Sequence, residues 1–280
     1  MISIHLKSVK LFTFPSGVKM VNVFQKKVLI LALYAGEIMM KSGAEIYRVE
    51  DTITRICKAC GISYVEVFAT PTGIFVSLDK GAEDDDTQTY IKRIKGISTD
   101  LNKISQVNHF SRQFTTTDLS VEEGMKILKE IDKKSTYPLP VRILGAAIVA
   151  SSFCLLCQGS FIDALVAVFS GAACYMFAVL LKLLDINSFV TGFCCCGLAA
   201  FIAMTAASSI SNASYDPIII GTLMIFVPGV ALTNSIRDFL SGDMLSGVSR
   251  LIEAVLTALS LAAGAGVVLK LWDIIGGISL

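Results

Sequence analysis

Long uncharged stretches fill the second half of the chain, whereas charged residues interrupt the first half throughout. The five stretches without Asp, Glu, Lys or Arg are 143–162, 164–181, 186–215, 217–236 and 254–269. A helix needs about 20 residues to cross the hydrocarbon core of a bilayer. The first four stretches reach or nearly reach that length, and the fifth does so when it is extended back through Arg250 and Glu253. The pattern predicts about five transmembrane helices, or four without the last one.

Lys and Arg are unevenly distributed between these stretches. Basic residues precede the first stretch, Lys182 follows the second, and Arg237 follows the fourth. The alternate loops, 158–161 and 208–216, carry no basic residue. Short cytoplasmic loops carry the excess of Lys and Arg. We therefore expect a multi-pass membrane protein with its N-terminus in the cytoplasm and its C-terminus outside.

Shorter patterns in the first half predict an α+β domain. Residues 24–60 suit one or two helices, with Gly36 and Gly43 as possible breaks and Gly61 just after the last turn. The later elements are three strands, 63–68, 74–78 and 89–94, and two helices, 100–114 and 121–133. The turn 70–73 joins the first two strands as a hairpin. Ser120 and Glu123 have the spacing of a capping box at the start of the last helix.

Composition supports a division into two halves. The chain of 280 residues is 54% hydrophobic and 17% charged, with a mean hydropathy of +0.68. Residues 1–140 contain 19 Lys and Arg and 16 Asp and Glu, whereas residues 141–280 contain 5 and 7. We predict an N-terminal extension (1–23), a cytoplasmic α+β domain (24–137) and a transmembrane domain (138–280), with Pro138 and Pro140 in the boundary segment 134–140. The fold class is thus an α-helical polytopic membrane protein with an N-terminal α+β domain.

A break is expected midway along the fourth uncharged stretch. Pro228 removes a backbone donor and Gly229 loosens the helix, which leaves carbonyl groups available to a polar cavity. Transporters form substrate sites at such broken helices. The alternative is a kink with a purely structural purpose.

Polar residues that follow this break are candidates for substrate binding. Thr233 and Asn234 lie one turn beyond it, and Arg237 or Arg250 offers a positive charge to a carboxylate. Basic residues also fit the topology rule and lipid phosphates, so both interpretations stay open. Glu253 follows Arg250 at i+3, and a paired carboxylate in a span is a candidate for proton coupling.

Three ordered segments resemble one known family. They are Gly43 to Thr52 (GAEIYRVEDT), Phe68 to Phe75 (FATPTGIF), and Val227-Pro228-Gly229 with the later Thr233, Asn234, Asp238, Gly242, Gly247 and Arg250. In these segments the chain is similar to the threonine/serine exporter family from about residue 25 to its end. The resemblance marks Glu45, Arg48, Glu50, Asp51, Thr52, Pro71, Thr72 and Gly73 as candidates in the first half. Glu45 with Arg48, and Asp51 with Arg55, have the spacing of helix ion pairs. Two interpretations fit this pattern: a salt-bridged helix surface, or a gate or docking surface formed by Glu45, Arg48 and Thr52 with Tyr47 packed beneath them.

The resemblance implies a proton-coupled secondary exporter of a bacterial inner membrane, which moves small carboxylate metabolites, either threonine and serine or a C4 dicarboxylate such as succinate, out of the cell. Full-length members carry about ten spans, so this chain resembles the split form, in which a second small membrane protein supplies the missing helices. A homo-oligomer is the alternative arrangement. A different class of function is a membrane-anchored sensor or assembly protein that acts through its soluble domain.

Enzymatic and cofactor chemistry find little support in the sequence. The spacing Cys57-Lys58-Ala59-Cys60 is half of a zinc or redox site, and no second pair follows it. The acidic loop 83–86 lacks the spacing of a calcium loop. We expect no cofactor, no metal and no nucleic-acid partner; the expected partners are a small carboxylate substrate, the lipid bilayer and another membrane subunit.

Overall fold

The computed structural model describes residues 17–62, 64–79, 88–134 and 137–275, and the chain divides into two compact units between Lys133 and Lys134. The first unit contains α1 (Gly17–Lys41), α2 (Ile46–Ala59), β1 (Tyr64–Thr70), β2 (Gly73–Asp79), β3 (Gln88–Arg93), α3 (Leu101–Thr116) and α4 (Val121–Lys133). The second contains α5 (Leu139–Leu156), α6 (Phe161–Leu183), α7 (Ser188–Ser209), α8 (Tyr215–Leu223), α9 (Gly229–Leu240) and α10 (Met244–Ile274).

Helix α1 is the centre of the first unit. Nearly all of its residues from Val28 to Met40 are buried, because α2, α3, α4 and β2 all contact it. A helix covered on several sides carries apolar residues around much of its circumference. The core continues into α2, α3 and the inner face of the sheet.

Two glycines with positive φ end the first two helices. Gly43 (φ +84°) follows α1, and Gly61 (φ +80°) follows α2, as predicted. In both places the amides after the helix bond back to its last carbonyls, for example Ile62 N to Cys57 O at 3.2 Å. The possible break at Gly36 is wrong, since α1 continues through it. A Cβ there would lie 2.6 Å from Ile53 Cδ1, so Gly36 provides close packing against α2.

The three strands form an antiparallel sheet in the order β1-β2-β3. The predicted hairpin is confirmed: Thr70 pairs with Gly73 across a two-residue loop. The inner face carries buried side chains such as Ile74 and Val76. Phe68, Phe75 and Ile91 form one cross-strand row on the other face, where all three are exposed. The acidic loop 83–86 lies outside the described residues.

The second unit contains four helices that are long and apolar enough to cross a membrane: α5, α6, α7 and α10. The prediction was about five helices, or four without the last one; among the described residues it is the fourth stretch, not the fifth, that forms no continuous helix of spanning length. The fourth stretch, 217–236, is divided between α8, which ends at Leu223, and α9, which begins directly after Pro228. The fifth stretch belongs to α10, which extends back through Arg250 and Glu253 as the sequence predicted for a helix of spanning length. Pro138 and Pro140 start α5, where a missing amide donor costs no helical bond.

Small residues set the closest helix contacts in this unit. A Cβ on Gly221 of α8 would lie 2.4 Å from Ala150 O of α5, and one on Gly264 of α10 would lie 2.1 Å from Phe193 O of α7. Backbones that approach this closely leave no room for a side chain. All eight cysteines are free thiols, and five of them are buried.

Candidate functional site: the α9–α10 polar pair

The helix interruption expected at Pro228 is present. Helix α8 ends at Leu223 and α9 begins at Gly229, with Pro228 as the residue before its first turn. Pro228 is half-buried, Gly229 is exposed, and a Cβ on Gly229 would have no neighbour within 4 Å. Between the two helices the amides of Ile225 and Phe226 bond to Thr222 O and Leu223 O, three residues back, so the regular helical pattern ends there.

Polar residues of α9 fall on two faces. Asn234 and Asp238, spaced at i and i+4, are both buried, and Ser235 beside them is fully buried. Thr233 and Arg237 are exposed. The Thr233 hydroxyl donates to Gly229 O of its own helix at 2.8 Å, which occupies its donor within the helix. Of the expected binding residues on α9, the structure thus places Asn234 and Asp238 in the interior.

A tight turn brings α10 back against α9. Gly242 (φ +91°) follows α9, and the Asp243 amide donates to Asp238 O at 2.9 Å. A Cβ on Gly247 of α10 would lie 2.9 Å from the Phe239 ring, so glycine allows α10 to pack directly against that ring. The late motif of the sequence is therefore a helical hairpin whose glycines determine its turn and its spacing.

Arg250 and Asp238 form an ion pair inside this hairpin. Arg250 Nε lies 3.1 Å from Asp238 Oδ2, and their side chains are only 7% and 0% exposed. The two atoms are not aligned as a hydrogen bond, so this contact is electrostatic. Burying two charges is costly, and removing one partner of such a pair costs about 3–5 kcal/mol, because the other charge is left without compensation. Ser246, one turn before Arg250, is also buried.

The pairing differs from the one expected in the sequence. Glu253 was the proposed partner of Arg250, but the structure exposes Glu253 and places Asp238 against the guanidinium group. The two residues are 12 positions apart on different helices, and only the turn at Gly242 brings them together. Ser235 and Ser246 were also missed. Each lies within one helical turn of another polar residue in an otherwise apolar segment, and that spacing could have marked them as candidates.

A second buried carboxylate lies at the start of α6. Asp163 Oδ2 accepts from Ser160 N at 2.8 Å, and the Ser160 hydroxyl accepts from Asp163 N, which completes a capping box. Asp163 Oδ1 accepts from Ser214 N at 2.7 Å, at the residue before α8. This carboxylate therefore connects the beginnings of two helices and is saturated by backbone amides. The sequence analysis did not single out Asp163, which separates the first two uncharged stretches.

Further along α8, the Thr222 hydroxyl donates to Ile218 O at 2.9 Å and lies 3.0 Å from Ser170 Oγ of α6. Both residues are fully buried. Hydrogen bonds of this kind satisfy polar groups between apolar helices. The contact holds the end of α8, just before the interruption, against α6.

The candidate residues of the first unit form ion pairs and backbone contacts. Arg48 donates to Glu45 at 3.1 Å, and Arg55 pairs with Asp51, so both expected helix pairs are present. Glu50 accepts from Ala69 N at 2.8 Å. That amide belongs to the edge strand β1, and the carboxylate covers part of an otherwise open edge.

The face formed by Glu45 and Thr52 is turned into the first unit. Both side chains are buried, and Arg48 is half-buried. Tyr47, expected to pack beneath this face, is instead 42% exposed. In the hairpin, Pro71 is buried and Thr72 exposed, and the Thr70 hydroxyl donates to Gly73 O at 3.2 Å. These contacts stabilise the helix–hairpin junction.

Glu37 of α1 is a buried carboxylate that the sequence did not single out. It pairs with Lys41 at 2.7 Å and with Lys92 of β3 at 2.8 Å. Burial by itself raises the pKa of Glu37, but hydrogen bonds and charge from the two lysines outweigh it and lower the pKa below its ordinary value. The cluster connects the central helix to the sheet.

The Cys57–Cys60 spacing does not produce a reactive thiol at Cys57. Burial, with a smaller contribution from Cys60, raises the pKa of Cys57 to about 12. A protonated, buried thiol packs as a small apolar group. Within the described ranges, no group of three His, Cys, Asp or Glu residues is arranged to hold a metal ion.

Comparisons with known proteins cover both units. Residues 30–272 match the family model of the threonine/serine exporter, ThrE. A protein of Mycobacterium tuberculosis named "Probable threonine/serine exporter" is 22% identical over 87% of this chain and 46% of its own length. The threonine/serine exporter of Corynebacterium glutamicum is 23% identical over 89% of this chain and 52% of its own length. The chain spans about half the length of these two relatives.

Relatives of similar length carry a different name. The "Probable succinate transporter subunit YjjP" of Escherichia coli is 23% identical over 90% of this chain and 97% of its own length. The Klebsiella aerogenes protein of the same name is 23% identical over 90% of this chain and 96% of its own length. No solved structure matches the chain.

Proposed function

Because this chain belongs to the threonine/serine exporter family, whose members are transporters rather than enzymes, we propose that it is one subunit of a secondary exporter for small carboxylate metabolites. The observation that carries the proposal is the buried pair of Asp238 and Arg250 beside the interrupted helix α8–α9. A charged residue inside a membrane domain is costly and is a functional candidate by default. Arg250 is the group that binds the substrate carboxylate.

Position supports this role for Arg250 over Arg237. Arg250 lies about 9 Å along the axis of α10 from Met244, at 1.5 Å per residue, and is buried. Arg237 is exposed near the end of α9, where a basic residue suits the cytoplasmic side of a membrane protein. We assign Arg237 to topology and Arg250 to substrate. Asn234 and Ser246, buried on the same hairpin, line the site as neutral polar groups.

The topology is part of the proposal. Four continuous helices and the interrupted segment α8–α9 make five crossings, so an N-terminus in the cytoplasm requires the C-terminal end of α10 outside. The N-terminal unit then lies in the cytoplasm, where we assign it a regulatory role. The loops before α6 and α8, which Asp163 connects, lie on the outer face.

A partner subunit is part of the proposal, and the names and lengths of the relatives support it. Two exporters in the family are about twice as long as the matched region, and the relatives of similar length are named as subunits. We propose that a second membrane protein completes the transporter. Length also supports a dicarboxylate as the second candidate substrate, since the subunits of similar length are named for succinate.

The test is an efflux assay in the source bacterium after deletion of the gene. Labelled threonine or succinate should accumulate inside the cells, and the wild-type gene should restore efflux. Arg250→Ala should fail to restore efflux even when the variant is present in the membrane at the normal amount, because the substrate carboxylate loses its cation. Arg237→Ala is the matched control and should restore efflux.

Two results would count against the proposal. Normal efflux from Arg250→Ala would remove Arg250 from the site. If the deletion strain contains the same amounts of threonine and succinate as the wild type, the sensor or assembly function is favoured. In that case a soluble fragment carrying only the first unit should retain the activity.

A further inference from the structure

One face of the sheet in the first unit carries large apolar side chains that are exposed. Phe68, Phe75 and Ile91 form a row across the three strands, and they are 56%, 38% and 68% exposed. The ring centroids of Phe68 and Phe75 are 6.1 Å apart, so the row is a continuous apolar surface. Exposed apolar residues that occur singly need no explanation, whereas a contiguous patch marks a surface that binds another molecule. We call this surface the outer sheet face.

Two opposite charges lie at opposite corners of the outer sheet face. Glu66 comes two residues before Phe68 on β1, and Arg93 comes two residues after the Ile91 position on β3. Alternate residues of a strand share one face, so the two charges flank the apolar row on opposite sides of it. Both are exposed, and within the described ranges neither side chain has an ion pair or a hydrogen bond. The spacing of strands and residues places their Cα atoms about 16 Å apart, with Phe75 midway between them.

This arrangement is complementary to itself. A two-fold axis can lie in the plane of the face, pass through Phe75 and run perpendicular to the line from Glu66 to Arg93. It then places each Glu66 opposite the Arg93 of a second copy and brings the two Phe75 rings together at the centre. Residues related in this way form an isologous interface, in which one surface patch binds its own copy. The strands of the two sheets then cross at roughly right angles, which is one of the two ways in which sheets pack.

Gly73 provides space for this packing. It comes two residues before Phe75 on β2, and a Cβ there would lie 3.7 Å from the Phe75 ring. The missing side chain leaves a depression beside the centre of the face. In the two-fold arrangement the Phe68 ring of the second copy lies over this depression, so a large side chain meets a position without one.

We infer that the outer sheet face is an interface between two copies of this chain, with Phe75 on the two-fold axis and a Glu66–Arg93 ion pair on each side of it. A second copy is the occupant that the charges favour, because it brings an Arg93 to every Glu66 and leaves neither group without a partner. The inference concerns the first unit and does not rest on the proposed exporter function.

The size of the face determines how strong this contact is. Three strands of six residues measure about 14 by 20 Å, which is less than the roughly 800 Å² per partner of a stable complex. The contact is therefore weak by itself. Confinement of both copies in one membrane raises their effective concentration, so the dimer is expected in the membrane rather than in dilute detergent solution.

Disulfide crosslinking in isolated membranes tests the interface with the full chain. Phe75→Cys places a thiol on the two-fold axis, and the oxidant diamide should join two copies into a dimer that non-reducing electrophoresis detects. Tyr47→Cys is the matched control, because Tyr47 is an aromatic residue of similar exposure, 42%, on α2. It should give no more dimer than the wild type, whose own cysteines set the background. Ile91→Cys is a second reporter that keeps the Phe75 ring, and its high exposure means that the substitution perturbs the fold little.

Charge reversal tests the pairing of Glu66 with Arg93. In the Ile91→Cys background, Glu66→Arg or Arg93→Glu places like charges opposite each other on both sides of the axis, so the yield of crosslinked dimer should fall about tenfold. The double variant Glu66→Arg/Arg93→Glu restores opposite charges and should recover the yield. Immunoblots show whether every variant is present in the membrane at the same amount.

Dimer from both reporters, its loss in the single reversals and its recovery in the double variant would support the interface. The absence of dimer from both reporters would overturn it and would assign the face to another protein. A yield that the single reversals leave unchanged, or that the double variant does not recover, would also overturn it, because Glu66 then does not face the Arg93 of a second copy. Efflux from Arg250→Ala decides the exporter proposal separately, so each proposal can fail while the other stands.

Discussion

Asp163 Oδ1 accepts a hydrogen bond from the Ser214 amide at 2.7 Å, across 51 positions of the sequence. The same carboxylate caps α6 through Ser160. Helix N-termini carry partial positive charge and unsatisfied amides. Asp163 therefore stabilises the starts of α6 and α8 together, and it fixes the beginning of the interrupted segment that leads to the α9–α10 pair.

Replacing this carboxylate should destabilise the second unit. In Asp163→Asn one of the two acceptor oxygens becomes an NH₂ donor that faces a backbone amide. An unsatisfied buried donor costs about 1–3 kcal/mol, so the apparent melting temperature of the protein in detergent should fall. Asp185→Asn, on an exposed loop, should leave it unchanged. Equal melting temperatures for both variants would contradict the role of Asp163.

Two glycines of α10 should respond differently to the same substitution. A Cβ at Gly264 would meet Phe193 O at 2.1 Å, whereas one at Gly266 would meet nothing within 4 Å. Gly264→Ala should force α7 and α10 apart and lower the stability of the fold by about 1–3 kcal/mol. Gly266→Ala should be neutral or slightly stabilising, because alanine favours the helix. Thermal unfolding in detergent measures both; a destabilised Gly266→Ala with an unaffected Gly264→Ala would reverse the assignment.

Features that depend on neighbouring residues could be predicted from the sequence. Gly61 follows its helix, and Ser120 and Glu123 form the capping box as expected, because each motif is completed within four residues. The interruption at Pro228 is local too, since proline lacks the amide donor. Gly36 was misjudged for the opposite reason: its role is set by Ile53 of another helix, which local propensity does not include.

The charged contacts of the candidate site depend on tertiary structure. Arg250 has Glu253 one turn away, and a rule for helix neighbours selects that pair. The structure selects Asp238 because the turn at Gly242 folds α10 back onto α9. Asp163 and Ser214 meet in the same way, through helix packing. From the sequence, the segment that contains the site was predictable, but the partners within it were not.

Cys57 and Cys60, at the C-terminal end of α2, should differ in thiol reactivity. Burial raises the pKa of Cys57 to about 12, so at pH 8 its thiol is protonated as well as covered. Cys60 is half-buried. A maleimide added to the native protein at pH 8 should modify Cys60 much faster than Cys57, and urea should abolish the difference. Peptide mass spectrometry measures both rates; equal native rates would show that Cys57 is accessible.

The Glu37 cluster should give the first unit a stability that depends on pH. Lys41 and Lys92 lower the pKa of Glu37 in the folded chain below its ordinary value, despite the opposing effect of burial. A carboxyl group with a depressed folded pKa contributes stability above its unfolded pKa, and this contribution is lost as the pH falls through the folded pKa. Glu37→Gln should therefore unfold more easily than the wild type at pH 7, and this difference should shrink as the pH falls below the ordinary range of a glutamate. Thermal unfolding of the full chain in detergent across that range, followed by a probe in the first unit, gives the comparison.

Glu122→Gln is the control, because its exposed pair with Lys27 should contribute little. A difference between wild type and Glu37→Gln that stays constant down to acidic pH would show that the carboxylate charge of Glu37 does not stabilise this cluster.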